Sequence, residues 1–83
     1  MSTLSRDRVR TMMGEVLSAQ GKDLPSDDDT RLNAIGFRSL DFSELALRVE
    51  DELDAELNFD APGLRSVETV SDVLDFIDQL QSA

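Results

Sequence analysis

Apolar side chains recur three and four residues apart in three stretches of this chain, and nowhere do they alternate with polar ones. A helix places residues at that spacing on one face, whereas a half-buried strand needs a period of two. The first stretch, about Leu4 to Gln20, carries Val9, Met12, Met13, Val16 and Leu17, and Gly21 follows as a left-handed stop. Ser2, Thr3 and Ser5 all qualify as its starting cap. The second, about Ser39 to Leu57, carries Phe42, Leu45, Ala46, Val49, Leu53 and Leu57. The third, about Val70 to Gln79, carries Val70, Val73, Leu74, Ile77 and Leu80, and Thr69 with Asp72 has the form of a capping box. Between the last two, "NFDAPGLRSVE" admits one short helical turn anchored by Phe59, Leu64 and Val67. The expected fold is all-α: a small antiparallel four-helix bundle of three main helices and one short one, filling residues 1–83 as a single domain.

The segment "KDLPSDDDTRLNAIGFR", Lys22 to Arg38, does not fit this pattern. Pro25, the aspartates and Gly36 speak against regular structure, and long irregular loops in compact domains are often functional. Leu24, Leu32, Ile35 and Phe37 are the residues able to pin it to the core. Its acidic run fails as a calcium loop: counted from Asp27, the sixth position is Leu32 where Gly is needed, and the twelfth is Arg38 where a bidentate Glu belongs. The aspartates read as solvated turn residues, and no metal site is expected.

Eighteen acids against eight bases, with neither cysteine nor histidine, narrow the possible functions. The net charge of −10 repels nucleic acid and anionic lipid and attracts proteins that carry basic patches. Thiol chemistry and disulfides are excluded. No apolar run reaches membrane-spanning length, and the N-terminus lacks the apolar region of a secretory signal. The expected protein is a monomer in the cytoplasm, bound to neither nucleic acid nor membrane.

The acids are distributed unevenly on the second helix. At about 100° per residue, its apolar stripe centres on Ala46 and Val49, which turns Leu40 and Leu47 outward, one above the other. Glu44, Asp51 and Asp54 flank the two leucines, with Asp41 and Glu50 toward the margins. An apolar centre with a charged rim is the anatomy of a docking surface.

Ser39 opens this helix, three residues after Gly36. As a nucleophile it would need a base, and none is in view. Two roles fit the position. Serine is a favoured N-cap, and free N–H groups with the helix dipole favour an anion such as a phosphate ester there.

The chain resembles the acyl carrier proteins over nearly its whole length. The resemblance lies in the opening "STLSRDRVRTMMGEVL", in "LNAIGFRSLDFSELALRVEDEL", in the closing "VETVSDVLDFI", and in the four-helix layout. It implies a carrier that is not itself an enzyme. Ser39 would hold a covalent 4′-phosphopantetheine arm, placed there from coenzyme A by a phosphopantetheinyl transferase that uses magnesium, and acyl intermediates would ride on the arm as thioesters. The missing cysteine then has an explanation, because the reactive sulfur belongs to the prosthetic group. Leu40, Asp41, Glu44, Leu47, Glu50 and Asp51 would meet basic patches on enzymes of a fatty-acid, polyketide or specialised lipid pathway.

One position departs from the family, which writes Asp-Ser-Leu where this chain has Arg38-Ser39-Leu40. The exchange implies a specialised carrier and a hindrance to a generic transferase, while Arg38 gains the ability to hydrogen-bond the phosphodiester. Gly36 shapes the turn before the site. Phe42 is bulkier than the family's usual residue and would narrow a channel between the helices. Two other readings are an aminoacyl or peptidyl carrier and an unmodified helical adaptor on the same fold.

Overall fold

The computed structural model describes residues 3–57 and 66–82. Among the described residues three α-helices carry the fold: α1, Arg6–Ser18; α2, Ser39–Leu53; and α3, Val70–Ser82. The expected short fourth helix, with Phe59 and Leu64, falls outside the described residues. Val67, its third proposed anchor, packs against the core.

Ser5 proves to be the cap of α1, its side chain accepting the Arg8 N–H at 3.1 Å. At the other end Gly21 takes φ +74°, while Lys22 N–H donates to Leu17 O at 2.9 Å and Gly21 N–H to Ser18 O at 3.0 Å. This is the Schellman pattern, which only a left-handed residue permits. α1 is therefore shorter at both ends than its apolar period implied.

α2 also stops early, at Leu53 rather than Leu57. Asp54 turns left-handed (φ 53°), a conformation that Asp tolerates better than most residues. Leu53 and Leu57 still pack on the core, but Leu57 does so from beyond the helix. Its N–H donates to the Glu50 carboxylate at 2.8 Å.

α3 begins at Val70 as expected and runs on to Ser82. The capping pair forms: Asp72 N–H donates to Thr69 Oγ1 at 3.2 Å, and Thr69 N–H donates back to Asp72 at 3.1 Å. The Glu68 N–H joins it at 3.0 Å. Those two backbone bonds, Glu68 first, hold the Asp72 carboxyl below its ordinary pKa.

Paired residues give the helix directions. Arg8 and Arg48 on α1 and α2 meet Glu52 at 2.6 Å and Glu15 at 3.6 Å, so the start of α1 lies beside the end of α2. The Leu4 N–H donates to the Gln81 side chain at 2.6 Å, bringing the start of the chain to the end of α3. Every member of the α1 stripe is buried, as are Phe42, Leu45, Ala46 and Val49 of α2 and Val70, Val73, Leu74 and Ile77 of α3. Phe76 joins this core although it lies off the expected stripe, its ring 5.9 Å from that of Phe42.

The long loop is more ordered than its composition implied. Leu32–Ala34 forms a 3₁₀ turn, and Leu24, Leu32, Ile35 and Phe37 all pack inward. The stretch before that turn satisfies backbone groups that the N-terminus of α3 would otherwise leave unpaired. Val70 N–H donates to Thr30 O at 3.1 Å, Ser71 N–H to Asp28 O at 2.8 Å, and Leu32 N–H to Glu68 O at 2.9 Å. The aspartates serve local structure: Asp27 accepts the Asp29 N–H at 2.9 Å, and Asp28 pairs with Arg10 at 2.9 Å.

Candidate functional site

The path to Ser39 is set by three residues. Gly36 sits at φ +71°, where a side chain would be strained, and a Cβ there would come within 2.8 Å of the Lys22 ammonium. Phe37 is buried, and its N–H donates to Leu32 O at 3.0 Å. Arg38 is extended (φ −111°, ψ −179°) and is the N-cap of α2.

Ser39 is therefore the first residue of the helix and not its cap. It is exposed, and its hydroxyl makes no hydrogen bond to the described residues. The cap itself is half made. Arginine has no acceptor to offer the first-turn N–H groups, but the Asp41 carboxylate reaches back and accepts the Arg38 N–H at 2.8 Å.

A cleft of about 930 Å³ opens beside Ser39 and runs along α2. Arg31, Asn33 and Arg38 line it together with Leu32, Phe42, Leu47, Glu50, Leu57 and Val67. Phe42 is wedged against Phe37, edge to face, with ring centres 6.5 Å apart. The Arg38 guanidinium has no carboxylate partner among the described residues, whereas Arg31 lies 3.6 Å from Glu68.

Of the expected docking residues, Leu40 (84 % exposed) and Leu47 (61 %) stand outward, with Glu44 and Asp51 exposed beside them. Glu44 accepts from Arg48 one turn on, at 3.3 Å. Glu50 is half-buried and committed to the Leu57 N–H. Asp41 requires a correction. It is 6 % exposed and points into the protein, because one oxygen caps α2 and the other accepts from the Gln20 amide. It contributes no carboxylate to the outer face. Gln20 and Lys22 contact this site although no local pattern in the sequence marks them.

The fold and site define a small helical domain that presents one exposed serine on the first turn of a helix, with no base beside it among the described residues. The chain belongs to the phosphopantetheine-binding carrier family, whose sequence model, described as a phosphopantetheine attachment site, matches residues 7–77. No significant match is found among curated proteins or among solved structures. The family's cofactor is a covalently attached 4′-phosphopantetheine, and its domains act as carriers that meet a phosphopantetheinyl transferase and partner enzymes. The residues present suit that group. Among the described residues nothing engages the hydroxyl at this helix N-terminus, where unpaired N–H groups favour a phosphate, and the arginine beside it has no carboxylate partner. Among the described residues no helix is long and apolar enough to cross a membrane.

Proposed function

We propose that Ser39 carries the phosphopantetheine arm and that the protein presents acyl intermediates to partner enzymes. In the loading step the Ser39 oxygen bonds to the phosphorus that bears the pantetheine. The pyrophosphate bond of coenzyme A breaks, adenosine 3′,5′-bisphosphate leaves, and the transferase takes the hydroxyl proton. Once bound, the arm supplies a thiol that holds the cargo as a thioester. The chain's own part is to fix and present the base of the arm. Gly36 sets the turn, and the N-terminus of α2 and Arg38 would hold the phosphate, the arginine through charge-assisted hydrogen bonds. Leu40 and Leu47, rimmed by Glu44 and Asp51 with Glu50 at the edge, form the docking face for basic partner surfaces. The cargo belongs to fatty-acid, polyketide or specialised lipid assembly, and the chain works as a monomer.

One observation carries this reading: Ser39 is exposed on the first turn of α2, its hydroxyl unengaged by the described residues, and it lines a cleft. Intact-mass measurement after incubation with coenzyme A and a broad-specificity transferase tests it. The expected result is a gain of one phosphopantetheine that disappears in Ser39→Ala. Because Ser39 is not the cap, that substitution should change stability by no more than about 0.5 kcal/mol, as for an ordinary surface site. A chain that gains no mass with any transferase is the unmodified adaptor instead.

A further inference from the structure

The turn that delivers Ser39 is gripped by a closed ring of contacts from the end of α1. Asp41 is buried, and both its oxygens are in use: Oδ2 accepts the Arg38 N–H at 2.8 Å, and Oδ1 accepts Gln20 Nε2. Gln20 Oε1 in turn accepts from Lys22 Nζ at 3.2 Å, and the same ammonium donates to Gly36 O at 3.0 Å. The ring thus holds both ends of the three-residue segment 36–38 that leads into Ser39. Its far side is fixed, because the Schellman bonds anchor the backbone of Gly21 and Lys22 to α1.

The polarity of this ring runs one way. A buried carboxylate needs compensation, and Asp41 receives it from a backbone N–H and from an amide. The Gln20 amide can donate to Asp41 on one side and accept from an ammonium on the other, which a carboxylate in its place could not. The positive charge of Lys22 therefore reaches the buried acid through Gln20. The core residues Phe42, Leu45 and Val49 hold α2 without help from the ring, so its particular effect falls on the geometry of the first turn and of Ser39.

We infer that Gln20 and Lys22 are positioning residues for the modification of Ser39, acting through Asp41 and Gly36. The inference rests on Ser39 being the attachment point. It extends the functional region to the end of α1.

A charge-pattern exchange tests it. Gln20→Glu sets a second carboxylate against Asp41 and breaks the ring. Adding Asp41→Asn restores the pattern: the amide at 41 accepts the Arg38 N–H and donates to the carboxylate at 20, which accepts from Lys22. Expected for Gln20→Glu is a loss of about tenfold in kcat/KM for transferase modification, within the range that small misplacements produce. The double variant should recover most of it. Amide hydrogen exchange of the unmodified proteins should quicken at residues 36–41 in the single variant and slow again in the double. If Gln20→Glu fails to fold by circular dichroism, Lys22→Met decides, since it keeps the stem over Gly36 and removes only the ammonium. It should slow modification several-fold. A wild-type chain that takes no arm overturns the attachment reading, and the positioning role with it. A wild type modified normally beside a Gln20→Glu or Lys22→Met protein modified equally fast overturns the positioning role alone. So does a double variant as impaired as the single one.

Discussion

With Asp41 turned inward, Arg38 is the charged side chain left at the base of the proposed arm. An aspartate at position 38 would repel a phosphodiester, whereas arginine can bond to it with two parallel donors. The same charge would oppose a transferase whose basic surface expects a carboxylate. Arg38→Asp should therefore raise the rate of modification by a generic transferase, followed by timed mass measurement. It should also leave the arm's phosphorus more mobile by ³¹P relaxation. A rate no higher than wild type would show that Arg38 is no barrier. Arg38→Ser isolates a second consequence: it adds the missing cap acceptor without charge and should stabilise the fold by about 1 kcal/mol. Little of this was legible in the sequence. Serine at 39 looks like a cap, but the chain enters the helix one residue earlier, and the cap falls on a residue that cannot accept. On the helical wheel Asp41 stands at the edge of the apolar stripe, one turn from Leu45, but its burial turns on Gln20, 21 residues away, and no local pattern signals that pairing.

At the scale of the element, α2 has two apolar faces with different fates. Phe42, Leu45, Ala46 and Val49 close the core, while Leu40 and Leu47 remain in solvent. The periodicity of the sequence shows both faces, because seven residues make nearly two full turns. It does not show where the helix stops. Leu53 and Leu57 prolong the period, and the break comes from the backbone of Asp54, which carries no apolar signal. The 3₁₀ turn at Leu32–Ala34 is hidden for a similar reason, among Pro, Asp and Gly that each favour a bend. If the outer face docks basic partners, Glu44→Lys with Asp51→Lys should slow association with a cognate enzyme by about tenfold at low salt, and the deficit should shrink as salt rises. Leu47→Ala should weaken binding by about 1–2 kcal/mol with little salt dependence, since it removes apolar contact. Stopped-flow association rates across a salt series separate the two. Unchanged kinetics in both proteins would place the interface elsewhere.

Across the whole molecule, a net charge of −10 works against compactness, and particular acids offset it by being well placed. Asp72 ties the start of α3 to its own cap, and Glu52 reaches across to Arg8, whose hydrogen bond and charge hold that carboxyl low as well. Both groups are less easily protonated in the folded chain than in the unfolded one. Wherever the unfolded state binds more protons, stability rises with pH. Their contribution is therefore fully present above the ordinary carboxylate pKa and is lost as pH falls through the depressed folded values. Self-repulsion has the opposite dependence, because acid relieves it. A single melting curve in acid mixes the two effects, and a pair of variants separates them. Thr69→Ala removes a neutral cap acceptor. It should lower stability by about 1 kcal/mol, or roughly 4–8 °C in Tm for a domain of this size, a deficit that persists in acid because most of the cap it removes is uncharged. Asp72→Ala removes the titrating half of the same cap. Its deficit against wild type should be constant near neutrality and should narrow as pH drops below about 4, where a free carboxylate begins to protonate. Thermal melts of the three proteins between neutral pH and pH 3 would show this. An Asp72→Ala deficit that stays constant into acid would mean that the carboxylate's charge contributes nothing at the start of α3.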